Sequence, residues 1–164
     1  MSRCLVIGET LIDEIHHASG EIDHHPGGSA ANVAVGLARL GRNVELATWF
    51  GTDPHGAVVR THLNVNNVSV VPGSDQADHT STAVATLDDR GQAHYDFDID
   101  WRLPEVHLDS DVKVVHTGSI ATVLFPGGQA VLEVTQVASE FSTICYDPNL
   151  RPTIMGTRND VATQ

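Results

Sequence analysis

Aromatic residues are scarce, at 5% of 164 positions, and basic residues are nearly as scarce. Nine Lys and Arg stand against 21 Asp and Glu, for a formal net charge of −12, and Lys113 is the single lysine. A surface this acidic repels phosphate backbones and anionic lipid, which excludes non-specific nucleic-acid and membrane-surface binding. No apolar run approaches the roughly 18 residues of a membrane span. The first apolar run, Cys4 to Ile7, is broken by Gly8, Glu9 and Asp13, so no signal peptide is expected. Two cysteines, Cys4 and Cys145, make no disulfide framework. Each lies in an apolar run, and the expectation is buried, reduced thiols in the cytoplasm. What is present suffices for a globular core: 41% of residues are hydrophobic and only 18% are charged.

Cys4 to Ile7 reads as a buried parallel strand. Leu11 to His17 and Glu21 to His25 flank Ser19-Gly20, the signal of a short hairpin. Gly27-Gly28 breaks the chain. From Ser29 to Leu40 the spacing changes: Val33, Leu37 and Leu40 recur at helical intervals, with Ala30 and Ala34 beside them, and Gly41 supplies a stop. Val44 to Phe50 reads as a strand. Asp53-Pro54 is an N-cap followed by a first-turn proline, so a helix runs to about Leu63. Val68 to Val71 is a short strand. Ser81 to Asp88 and Gln92 to Ile99 flank Asp89-Arg90-Gly91 and form a second hairpin, with Asp96, Asp98 and Asp100 on a solvated face. The strand–helix rhythm then resumes with Val112 to His116, Gly127 to Glu140 and Ser142 to Tyr146. That alternation implies a parallel sheet with right-handed crossovers, and the hairpins form a small antiparallel flap beside it.

Four segments could carry chemistry. In Pro26-Gly27-Gly28-Ser29-Ala30-Ala31-Asn32, glycines and small residues open a helix. They let a ligand approach the backbone, while free amides and Asn32 suit a hydroxyl-bearing ligand. A tight turn before a helix satisfies the same pattern. Asp13 follows the first strand in Gly8-Glu9-Thr10-Leu11-Ile12-Asp13, on the side where open α/β sheets bind ligands. It could accept two polyol hydroxyls, or it is a solvated loop carboxylate. Asp147-Pro148-Asn149-Leu150-Arg151-Pro152 follows another strand, and its Arg suits phosphate; an Asx turn with a surface arginine is the alternative. His116-Thr117-Gly118-Ser119 is a small, polar strand end that could approach the same ligand, or an ordinary strand-to-helix loop, the reading taken first. The pairs His16-His17 and His24-His25 cannot chelate as units, because neighbours in a strand point to opposite faces. One histidine of each pair could meet across the hairpin, yet no third ligand is evident, so no metal site is expected. Asp96, Asp98 and Asp100 lack the glycine and closing Glu of a calcium loop.

Together these motifs resemble the N-terminal half of the ribokinase-like sugar kinases, the PfkB family. Gly8 to Asp13 resembles its first strand with a substrate-binding aspartate. Gly27-Gly28-Ser29-Ala30-Ala31-Asn32-Val33-Ala34, through Leu37-Ala38-Arg39-Leu40-Gly41, resembles its N-terminal signature. Gly51-Thr52-Asp53-Pro54-His55-Gly56 is similar to its Gly-x-Asp-x-x-Gly turn, and Asp147 to Pro152 to a segment of fructokinase-type members. The resemblance implies an α/β ribokinase-like fold: a parallel central sheet flanked by helices, with a small antiparallel β lid. It implies that Asp13, Gly27, Gly28 and Asn32 bind sugar hydroxyls, that Gly118 and Ser119 line the pocket, and that Asn149 and Arg151 lie near phosphate transfer. It also implies ATP with Mg²⁺, and a monovalent cation such as K⁺.

The sequence through Gln164 contains no Gly-Ala-Gly-Asp segment, which by the resemblance supplies the catalytic base and anion hole, and no Asn-x-x-Glu motif. The expectation is that residues 1–164 are the N-terminal part of one ribokinase-like domain. Lid hairpins fall near 11–25 and 81–100, and the ATP-binding and catalytic half is absent. No catalytic residue is assigned, and the chain alone is expected to be inactive. Its expected partners are a sugar and ATP, with a second copy docked through the lid. Phosphorylation of a fructose-like sugar is the first reading. A non-catalytic sugar-binding or dimerisation module and a nucleoside kinase are the alternatives.

Overall fold

The computed structural model describes residues 2–17, 19–87, 93–149 and 154. The expected Asp89-Arg90-Gly91 turn and Arg151 lie outside the described residues. The first apolar run forms β1 (Arg3–Ile7), whose Leu5, Val6 and Ile7 are fully buried, as a central strand covered on both faces requires. β2 (Leu11–His16) and β3 (Ile22–Gly27) make the first hairpin. α1 (Ser29–Arg39), β4 (Val44–Ala47), α2 (Pro54–Val65) and β5 (Ser69–Val70) follow. The second hairpin is β6 (Thr82–Leu87) and β7 (Ala93–Asp98). β8 (Val112–Gly118), α3 (Ser119–Val123), α4 (Gly127–Ala138) and β9 (Thr143–Asp147) complete the order.

Two sheets result. The body is a parallel five-stranded sheet in the order β5-β4-β1-β8-β9. Residues on β1 alternate between its two cores. Val6 packs with Ile12, Leu46, Phe50, Val59 and the α1 alanines. Leu5 and Ile7 pack on the other side with Trp101, Val112, Val115 and Val131. Trp101 is 1% exposed and its indole donates to the Ala121 carbonyl at 2.9 Å, pinning the extended 99–111 segment under the sheet. The second sheet, ordered β3-β2-β6-β7, is the lid. It is mixed rather than wholly antiparallel: the two hairpins join through a parallel β2–β6 pair. Both of those strands leave the body in the same direction, so their junction cannot be antiparallel.

The structure corrects several sequence expectations. α1 buries its small face, Ala30, Ala31, Ala34 and Val35, while Leu40 is 75% exposed. The cause is close packing: a Cβ at Gly8 would lie 2.7 Å from Ala30 Cβ, so only alanine-sized residues fit there. The strand expected to reach Phe50 ends at Ala47, level with Ile7, the last residue of its neighbour β1. The loop expected after His116 is partly strand and partly the short helix α3. Asp100 leaves the solvated acidic face and accepts the Trp49 indole N–H at 3.1 Å. Cys145 is exposed because β9 is the outer strand of its sheet; both cysteines are free. No described helix is long and apolar enough to cross a membrane.

Asp53 is the expected N-cap of α2, and it does more than cap. Its Oδ1 accepts the Gly56 N–H at 2.7 Å and the Thr80 hydroxyl at 2.8 Å, while Oδ2 accepts the Thr80 N–H at 2.6 Å. Burial acts to raise its pKa, but these donors and His55 outweigh burial and leave the carboxyl below its ordinary value. Asp53→Ala is expected to cost about 2 kcal/mol, at the upper end for a lost N-cap. Asp53→Ser should recover only part, since it restores the cap but not the tie to Thr80. Urea denaturation of the three proteins checks this, and equal stabilities would contradict it.

Candidate functional site

Because the body strands are parallel, their carboxyl ends share one side, and the loops leaving β1, β4, β8 and β9 open there. The start of α1 projects into this group. Gly28 is its N-cap, at φ 100° and ψ 134°, and has no side chain to cap with. Glu9, from the loop after β1, supplies the missing acceptor. Its Oε1 takes the Ser29 N–H at 2.9 Å and the Ser29 hydroxyl at 2.5 Å. A Cβ at Gly28 would lie 2.5 Å from the Glu9 carbonyl oxygen, so the turn rests directly on the 9–10 backbone. Thr10 reinforces this by donating its hydroxyl to the Gly27 carbonyl at 3.3 Å.

Asp13 comes from β2. Its carboxylate fills the space that a side chain at Gly27 would take. Across the lid, His25, Asp13, Ala83 and Phe97 stand in register in one row, which places them on one face. Burial raises the Asp13 carboxyl above its ordinary value, and His25 opposite pulls it part of the way back. Asn32 lies one turn into α1 and is exposed. Phe97 also borders a cleft of about 410 Å³ lined by Tyr95, Ile99, Leu124 and Ile154, between the second lid hairpin and the body.

On the opposite flank, a Cβ at Gly118 would lie 3.5 Å from Ser29 Oγ and 3.6 Å from the Asp147 carbonyl oxygen. The Ser119 hydroxyl, 1% exposed as a residue, donates to the Asn149 carbonyl at 2.6 Å. The ends of β8 and β9 are thereby joined to the start of α1. His116, two residues before Gly118, is held below its ordinary pKa by burial, against the pull of Asp147. The structure thus assembles Asp13, Gly27 and Gly28 on one flank, with Asn32 a turn away. It assembles Gly118, Ser119 and Asn149 on the other, with Ser29 between.

Sequence reasoning assigned no role to Glu9, Ser29 or His25. A signal for Glu9 existed: a glycine N-cap needs an acceptor from elsewhere. The fold also shows what no motif does. Among the described residues, the buried side-chain atoms without a hydrogen-bond partner are Glu9 Oε2, Thr48 Oγ1 and Thr117 Oγ1. They lie at the carboxyl ends of β1, β4 and β8, three adjacent strands. Buried polar atoms are rarely left unpaired, and three on one side of one sheet mark a place that receives polar groups.

A family model described as pfkB family carbohydrate kinase matches residues 1–163. The chain belongs to the pfkB family. A fructokinase of Salmonella typhimurium is 32% identical to this pfkB chain over 159 residues, which are 92% of the chain and 52% of that enzyme. The apo structure of the Vibrio cholerae O395 fructokinase superposes with a TM-score of 0.81 at 27% identity, covering 99% of this chain and 59% of that one. A double mutant of the same enzyme, with fructose, ADP and potassium ion bound, superposes with a TM-score of 0.75 at 26% identity, covering 99% and 55%. The pfkB fold expected from the motifs is therefore present: the ribokinase-like parallel sheet with its lid. The pfkB chain spans about half the length of the relatives it matches.

Proposed function

We propose that this chain is the sugar-binding part of a fructokinase-like enzyme that transfers the γ-phosphoryl group of ATP to a sugar hydroxyl. The observation that carries the reading is Asp13: a partly desolvated carboxylate on a lid strand, packed on Gly27 beside the start of α1. Its two oxygens accept a pair of sugar hydroxyls. Gly27 and Gly28 let the sugar approach the backbone, and Asn32 both donates and accepts. Gly118 and Ser119 line the far wall. Phe97, in the Asp13 row, offers an apolar face to the sugar ring, and the lid excludes water from it. Asn149 and, by the resemblance of its motif alone, Arg151 are assigned to the transferred phosphoryl group.

The carboxylates named at this site, Glu9, Asp13 and Asp147, do not fit a triphosphate, which needs cationic partners. ATP, with its Mg²⁺ and a monovalent cation, binds elsewhere. In this proposal they belong with the catalytic base, in the part of the domain that the relatives' greater length provides. Residues 1–164 are then inactive alone. A lid-mediated homodimer is part of the same proposal, supported by β3 and β7 standing at the two edges of the lid sheet.

Calorimetric titration of the chain with fructose, ribose, 2-keto-3-deoxygluconate and adenosine tests the reading. Fructose is expected to bind most tightly, and addition of ATP with Mg²⁺ to yield no phosphorylated sugar. Binding of adenosine alone would move the assignment to nucleosides. Binding of none of the four would overturn it, and turnover by this chain would overturn its inactivity.

A further inference from the structure

The face of the lid turned away from Asp13 carries a second cluster. Glu14 and His24 are direct cross-strand partners on β2 and β3, so they share the face opposite to Asp13 and His25. The first turn of α2 brings His55 against them. The His24 and His55 Nε2 atoms lie 3.8 and 3.7 Å from Glu14 Oε1. One donor atom from each of the three residues lies within 4.8 Å of the others. The two imidazole rings are 5.2 Å apart between centroids and tilted by 46°, which is not a stack. His16, on the same face, contacts the other Glu14 oxygen at 3.2 Å. The absence of a third ligand, expected from sequence, is overturned here: the third comes from α2, which no hairpin pattern could show.

We propose that Glu14, His24 and His55 bind a divalent transition-metal ion of the zinc type. Two imidazoles and one carboxylate are a donor set that such ions take, with water completing a tetrahedron. Bonds of about 2.0–2.1 Å would space the donors roughly 3.4 Å apart, so the side chains need to draw in only slightly. His24 and His55 are 41% and 31% exposed and free to do so, while Glu14, at 16%, is the anchored ligand. His16 holds the second carboxylate oxygen and orients it. The ion bridges two lid strands to a body helix, so it braces the lid from outside. None of this depends on what occupies the Asp13 face.

Titration of the untagged chain with Co²⁺ tests the site, read by the visible ligand-field bands of four-coordinate cobalt. One equivalent is expected to saturate the bands, and Zn²⁺ to abolish them by displacement. His24→Ala and His55→Ala should each weaken binding by about tenfold or more, whereas His62→Ala, further along α2, leaves it unchanged. In the unsubstituted chain, which needs no variant to fold, paramagnetic Co²⁺ should broaden the amide signals of residues 14, 24 and 55 before those of His79 or His107. Absence of a one-to-one bound form, equal binding by all variants, or broadening that starts elsewhere would overturn the proposal.

Discussion

Asp13→Asn is expected to remove sugar binding while leaving the chain folded at least as stably as before. The asparagine keeps the size and shape that fit against Gly27, so the lid and the α1 turn have no reason to move. What it removes is charge and one acceptor. Hydrogen bonds to a charged group contribute roughly 1.5–3 kcal/mol each, so the change should cost about 3–4 kcal/mol of binding, or two to three orders of magnitude in affinity. Stability runs the other way. Burial raises the Asp13 pKa, so the ionised carboxylate is less at ease in the folded chain than in the unfolded one. A raised carboxyl pKa means stability lost, not gained, as pH rises through it, and a neutral amide avoids that loss. Fructose calorimetry paired with thermal unfolding at neutral pH reads both effects. A folded variant that binds sugar normally would show that Asp13 does not hold the ligand.

Gly28→Ala is expected to have the largest effect on stability and to take ligand binding with it. At φ 100° and ψ 134° the backbone is in a region reserved for glycine, and an L-residue there costs about 1–3 kcal/mol. The new Cβ would also lie 2.5 Å from the Glu9 carbonyl oxygen and 2.8 Å from Thr10 Cα, both backbone atoms with little freedom to retreat. Relief requires the turn to lift, which breaks the cap between Glu9 and Ser29, a further loss of about 1 kcal/mol or more. The sum, about 2–4 kcal/mol before any residual clash, is a large share of the 5–15 kcal/mol typical of a domain. Gly20→Ala separates the two causes. Gly20 also has a positive φ, 87°, but nothing lies within 4 Å of its missing Cβ, so only the strain of about 1–3 kcal/mol applies. Urea denaturation of both variants should rank Gly28→Ala well below Gly20→Ala. Equal losses would mean that contact with the 9–10 backbone is unimportant.

The parts of this fold that were legible in sequence are those written locally. A buried run ending in glycine marked β1. Asp53-Pro54 marked the start of α2 because cap and first-turn proline are adjacent in the chain. The two hairpins were visible from their turns. What escaped depends on residues distant in sequence. Spacing identified α1 and grouped Val33, Leu37 and Leu40 with Ala30 and Ala34; the alanines are buried, Val33 and Leu37 pack partly on the core, and Leu40 is exposed. The close approach of Gly8 to Ala30 centres the buried face on the alanines. The parallel β2–β6 junction pairs Ile12 with Thr82, and no local feature of either strand announces the other. The candidate site divides in the same way. Asp13, Gly28 and Asn32 sit in quotable motifs. Glu9 gains its role only when the fold lays it beside Ser29, and His55 only when α2 meets the lid.

In the proposed complex a sugar rests on Asp13 of the lid and on the start of α1, beside the carboxyl ends of the body strands. Titrating the isotope-labelled chain with D-fructose, while following backbone amide shifts, tests it most directly. Saturable shifts are expected at Asp13, His25, residues 27–32 and Gly118–Ser119, with Asp13→Asn abolishing them. Shifts confined to α4 and β9, or none that saturate, would contradict the claim.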